Sequence, residues 1–194
     1  LIAAPSVAAI MAALLVALIA LAQGGDPALN ADPVEPARDA PLTRGRDADG
    51  TRVSIPAPGR PAIVTFLYAN CPDICPLAAQ EISQALDQSG ARPADIDVVA
   101  VSVDPDGDTP ASVRAFLARH RLTGRMQYII GSAADLQPLW RAWYVAAQRG
   151  DARDSVHSAR VVLVDREGRQ AGSYAAGLPI DVSALAADIR TLPR

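Results

Sequence analysis

The 194 residues, 50% of them hydrophobic, suffice for one packed domain of ordinary size. The net charge is -3, and all 18 basic residues are arginines scattered without a basic block, which argues against a nucleic-acid partner. Only two cysteines and two histidines are present, so any metal or redox chemistry rests on very few side chains.

Residues 1–22, LIAAPSVAAIMAALLVALIALA, carry no charge. At about 1.5 Å per residue, a helix of that length roughly matches a 30 Å hydrocarbon layer, so the segment predicts a transmembrane anchor. Its ending, Ala20 to Ala22, resembles a small-residue cleavage site and keeps a cleavable signal as the alternative. The placement expected is the cell inner membrane, single pass, with the folded domain on the periplasmic side. Residues 23–41 are rich in Pro, Gly, Ala and Asp without apolar periodicity and read as a flexible tether. The folded domain is expected over 42–194.

In that domain the Asp-Gly of RDADGTRVSI is a turn leading into a strand at Val53 and Ile55. PAIVTFLY (61–68) and IDVVAVSVD (96–104) are continuous apolar runs suited to strands buried on both faces. Between them LAAQEISQAL has helical spacing at Leu77, Ile82 and Leu86, which makes a β-α-β unit with parallel strands. TPASVRAFLARH predicts a second helix, with Thr109 as N-cap and Pro110 at its first position. MQYII reads as a strand and AADLQPLWRAWYV as a helix in which Pro138 must lie in the first turn or bend the axis. ARVVLVD and QAGSY, joined by the turn at REGR, form an antiparallel hairpin, and a last helix runs from Asp181 to Arg190. The order predicts an α/β domain with a mixed central sheet flanked by helices, in a thioredoxin-like layout. Such sheets place their sites at the C-terminal ends of central strands.

Cys71 and Cys75 fall at that position, where strand 61–68 turns into the next helix. Free N–H groups and partial positive charge at a helix start lower a thiol's pKa. Pro76 predicts an irregular first turn. Three chemistries fit the pair: a structural disulfide, the default outside the cytoplasm, a redox couple, or two ligands of a soft metal. Two thiolates underfill a zinc shell, which directs attention to a third donor. His120 ends an amphipathic helix and reads as a solvated or C-capping residue. His157 immediately precedes the strand ARVVLVD, whose entering loop passes beside the cysteine turn in a thioredoxin-like layout. Asp73 reads equally as a charge beside a metal or a helix-start residue, Asp104 as a turn and cap, and Trp140, Trp143 and Tyr144 as packing groups.

FLYANCPDICPLAAQEISQAL, VVAVSVDPDGDTPASVRAFL and SVHSARVVLVDREGR, in that order after an apolar segment, resemble the Sco/SenC proteins, thioredoxin-like copper-handling proteins of respiratory membranes. The resemblance spans roughly residues 42–190, and CPDICP with the downstream His-Ser is its specific part. It implies Cys71, Cys75 and His157 as copper ligands. It also implies the copper-bearing subunit of cytochrome c oxidase as partner and maturation of its binuclear copper centre as the role. Val156 stands where the family commonly has an Asp before the histidine, and Ala69-Asn70 replaces its usual Thr-Arg/His pair. The main alternative is a thiol-disulfide oxidoreductase that reduces target cysteines. Against it stand the C-x3-C spacing and the lack of any proline between Pro138 and Pro179, where redox members of that fold place a cis-proline opposite the pair.

Overall fold

A computed structural model describes residue 11 and residues 28–145, 160–175 and 178–192. The strands are β1 (Thr43–Asp47), β2 (Arg52–Ile55), β3 (Ala62–Leu67), β4 (Asp97–Ser102), β5 (Gln127–Ile130), β6 (Arg160–Val164) and β7 (Gln170–Ala175). The described helices of the domain are α1 (Ile74–Ser89), α2 (Pro110–Arg119), α3 (Ala133–Ala142) and α4 (Val182–Thr191). One mixed sheet has the order β2-β1-β5-β4-β3-β6-β7, with β3, β4 and β5 parallel and the outer strands antiparallel to their neighbours. This is the thioredoxin-like α/β arrangement expected from the element order.

All six residues of β3 are buried, as its unbroken apolar run requires of a central strand. Ile63 and Leu67 face a core shared with Ala100, Tyr128 and Leu163 and covered by α1, α2 and α4. Val64 and Phe66 face the other core, with Val99, Val101, Val53, Ile55 and the α3 residues Leu136, Leu139 and Trp140. Trp140 and Trp143 are buried and anchored: their indole N–H groups donate to the Ser102 carbonyl at 2.8 Å and to Thr43 Oγ1 at 2.7 Å. Tyr144 differs, being 81% exposed beneath the Arg38 guanidinium.

Thr109 caps α2 as expected, accepting the Ser112 N–H, with Pro110 at the first helical position. Three local expectations differ. The Asp-Gly turn has a strand on both sides, because β1 pairs with β2 and also with β5. The sequence of β1, TRGRD, is polar, and its pairing depends on Gly45, where a Cβ would collide with the Ile129 side chain. Helix α3 ends at Ala142, short of the expected Val145, with Pro138 as its sixth residue, past the first turn.

The third difference concerns segment 23–41, whose residues 28–41 run along β7 rather than hanging free. Asp32 and Ser173 exchange backbone hydrogen bonds, Ala40 N–H donates to the Gly168 carbonyl, and Gln170 N–H donates to the Arg38 carbonyl. The Asp188 carboxylate on α4 accepts from Asn30 N–H, Asn30 Nδ2, Ala31 N–H and the Tyr174 hydroxyl. The segment thereby covers a sheet edge that would otherwise present unpaired backbone groups. The anchor expected at 1–22 lies outside the described residues apart from Met11, and among the described residues no helix is long and apolar enough to cross a membrane.

Asp188→Ala would leave several of these donors without an acceptor. We expect a loss of roughly 1–3 kcal/mol in urea unfolding and new protease cleavage between residues 28 and 41. Unchanged stability and cleavage would show that Asp188 does not hold the segment.

Candidate functional site

The pairing of β3 ends at Leu67, whose carbonyl accepts the Val103 N–H at 3.0 Å, and the chain then turns. Cys71 N–H donates to the Tyr68 carbonyl at 3.2 Å, closing a turn over residues 68–71. Helix α1 begins at Ile74, so Pro76 is its third residue, where a helix has no intrahelical use for the missing N–H. The Asp73 side chain makes no capping bond among the described residues. The Cys71 sulfur takes that part: Cys75 N–H donates to Cys71 Sγ at 3.3 Å, and Asp73 adds a backbone hydrogen bond.

Cys71 is 7% and Cys75 3% exposed, and neither is in a disulfide. A hydrogen bond from Cys75, with help from the Asp73 and Cys75 backbone and the Tyr68 hydroxyl, outweighs burial and lowers the Cys71 thiol to about 5. The same bond, with burial, pushes Cys75 well above the usual thiol range. Burial and the bond to Cys71 push the Tyr68 phenol up as well. The two sulfurs are thus pushed in opposite directions, Cys71 toward thiolate and Cys75 toward thiol. Such a pair can bind a soft cation, releasing its proton to solvent, or attack a disulfide.

The structure brings together Cys71 and Cys75. His157 lies outside the described residues, as do Val156 and Asp154, and among the described residues no three His, Cys, Asp or Glu side chains are grouped to hold a metal ion. His120 is the C-cap of α2, as one of its readings had it, and it is half-buried. Its ring lies 4.6 Å from that of Phe116, and its Nε2 is buried. Ten residues of helix carry it about 15 Å from the end of α2 that adjoins the cysteine turn. Asp73 is exposed, and Asp104 closes a turn by accepting the Gly107 N–H.

Two groups beside the thiols escape the sequence reading. Tyr68 is the last apolar letter of a strand motif, and nothing in the motif marks its hydroxyl. Asp108 stands in DPDGDTP, which reads as a turn and helix cap, yet its carboxylate is buried and accepts from Ala69 N–H, Ser102 Oγ and the Tyr128 hydroxyl. Only the register that places β4 between β3 and β5 brings those donors to it.

The family model described as SCO1/SenC matches residues 45–193. The chain is 32% identical over 133 residues to a Stutzerimonas stutzeri protein named for copper binding, covering 63% of this chain and 62% of that protein. It spans about half to three fifths of the length of the first curated relatives it matches. Among solved structures it is similar to Bradyrhizobium japonicum ScoI with copper bound, at 25% identity and a TM-score of 0.66, over 80% of this chain and 99% of that one. BsSco, described as a member of the Sco family of cytochrome c oxidase assembly proteins with a disulfide switch, shares the fold at 20% identity and a TM-score of 0.66, over 84% of this chain and 98% of that one.

The asymmetry of the thiols has a direct readout. Iodoacetamide should modify Cys71 ahead of Cys75 in the reduced chain, with a rate that holds at neutral pH and falls as acid takes the solution through about 5. Fragment-ion mapping of the alkylated peptide identifies the site. A rate that rises only near pH 8.5, the range of an ordinary thiol, would contradict the arrangement.

Proposed function

The chain belongs to the SCO1/SenC family, and on that premise we propose that it is a copper-binding protein of cytochrome c oxidase assembly. Cys71, Cys75 and His157 take one copper ion as cargo, destined for the binuclear centre of the oxidase's copper-bearing subunit. The observation that carries this reading is the pair of buried sulfurs at the start of α1, with the Cys75 N–H donated to the Cys71 sulfur at 3.3 Å. Thiolates are soft donors, and copper(I) accepts two of them with an imidazole, where structural zinc asks for four ligands. Metal binding takes the sulfurs as thiolates, so copper uptake is tied to reduced cysteines and to release of the proton they hold. The copper-bound relative and the relative named for copper binding support the cargo, and the family description of BsSco supports the oxidase as its destination. Residues 1–22 hold the chain in the inner membrane with the domain on the periplasmic side.

The asymmetry of the pair favours a second reading, a thiol-disulfide oxidoreductase. Cys71 thiolate attacks a target disulfide, forming a mixed disulfide and releasing one target thiolate, which takes the Cys75 proton. Cys75 thiolate then attacks Cys71 Sγ, closing the Cys71–Cys75 disulfide and releasing the second target thiolate. Two electrons pass to the target, and no copper ligand is required.

One comparison separates the two readings. Under copper delivery, Cys71→Ser, Cys75→Ser and His157→Ala strains all fail to assemble cytochrome oxidase, and His157→Ala weakens copper binding by about tenfold or more while His120→Ala leaves it unchanged. Under reduction alone, His157→Ala assembles the oxidase and only the serine variants fail. Fractionation tests the anchor: the chain should stay with the membranes, and a soluble periplasmic form beginning near Gln23 would establish a cleaved signal instead.

A further inference from the structure

We propose that Asp108 is a positioning residue for the thiol pair, a buried carboxylate that ties the cysteine turn to the sheet and so sets where the Cys71 sulfur sits. Oδ1 accepts the Ala69 N–H at 2.7 Å, two residues before Cys71. Oδ2 accepts the Ser102 hydroxyl at 2.6 Å and the Tyr128 hydroxyl at 3.1 Å. Ser102 ends β4 and Tyr128 is in β5, both strands of the sheet's parallel centre, so the carboxylate joins a loop to a rigid support.

The carboxylate is 6% exposed, and its three donors are a backbone amide and two hydroxyls, with no cation among them. Withdrawing a carboxylate from water is costly, and hydrogen bonds of this kind offset the cost only while all are made. An apolar side chain would fill the same space without that cost but would leave Ala69 N–H without its acceptor. The arrangement therefore holds the turn rather than merely packing beneath it.

The neighbouring chain is shaped to deliver this group. Asp108 N–H donates to the Asp104 carbonyl at 2.9 Å, and Gly107 N–H donates to Asp104 Oδ1 at 3.0 Å. A Cβ at Gly107 would meet the Asp104 carboxylate, which would have to move from its place beside the Gly107 N–H. The Asn70 side chain donates to the Gly107 carbonyl at 3.2 Å, giving a second tie between the two loops. Residues 68–71 are thus held at the Tyr68 carbonyl, the Ala69 amide and the Asn70 side chain.

The inference deepens the copper reading and rests on it for one readout only. The test uses the reduced full-length chain in detergent with Asp108→Ala, Asp108→Asn and Ser102→Ala. Asp108→Ala should speed exchange of the Ala69 amide relative to that of Val64, change the Cys71 alkylation rate at neutral pH, and weaken copper(I) binding by about tenfold or more. Asp108→Asn should restore most of each, because its Oδ1 still accepts the Ala69 N–H while the two hydroxyls turn to accept from its amide. Ser102→Ala should give intermediate changes. A folded Asp108→Ala with wild-type exchange, alkylation and copper binding overturns the proposal, as does an Asp108→Asn as defective as Asp108→Ala. If Asp108→Ala does not fold, Asp108→Asn and Ser102→Ala decide, and a wild-type Ser102→Ala overturns it. Exchange and alkylation are read without metal. If they change while the wild-type chain binds no copper, the copper reading fails and the positioning role stands.

Discussion

The bond from the Cys75 N–H to the Cys71 sulfur is the constraint around which the site is organised. A helix start leaves N–H groups that oxygen side chains usually satisfy. In this protein a sulfur one turn upstream serves instead, and three consequences follow from that exchange. The sulfur is fixed in place, its thiolate form is favoured, and the second cysteine is carried beside it in the first turn of α1. Replacing that sulfur changes the start of the helix as well as the chemistry.

The fold supplies what the bond alone lacks. A fully buried strand brings the chain to the turn, and the loop from β4 to α2 meets it from the next position in the sheet. Burial of both sulfurs disfavours a second negative charge beside the first, because little water is left to stabilise it. A soft cation changes the balance because it supplies the compensating charge. Metal loading and disulfide exchange are accordingly two uses of one property, and the donor completing the ligand set distinguishes them.

The central layout was legible because β3 and β4 are apolar runs bounded by turns and because α1 and α2 have clear helical spacing. The cysteine site was legible for the same reason, since its place follows from the end of β3. β1 was not, because its polar sequence pairs through a close approach at Gly45 that hydrophobic periodicity does not register. Segment 28–41 lacks periodicity too, and its order comes from backbone bonds to β7 and from Asp188, more than 150 residues away in sequence. Asp108 is the instructive omission. Short-range reading assigns its motif to turn and cap, and the motif does form both, while the burial of its carboxylate arises from strand neighbours that only the sheet order brings together. For His157 the expectation rests on the sequence, because that residue lies outside the described part of the chain.

X-ray absorption at the copper edge, with metal stoichiometry, on the reduced and copper-loaded chain addresses the central claim most directly. The account predicts one copper ion per chain, bound by two sulfur donors and one nitrogen donor, with the nitrogen lost in His157→Ala. A shell of sulfur alone, a spectrum unchanged by His157→Ala, or a reduced chain that retains no copper would contradict it.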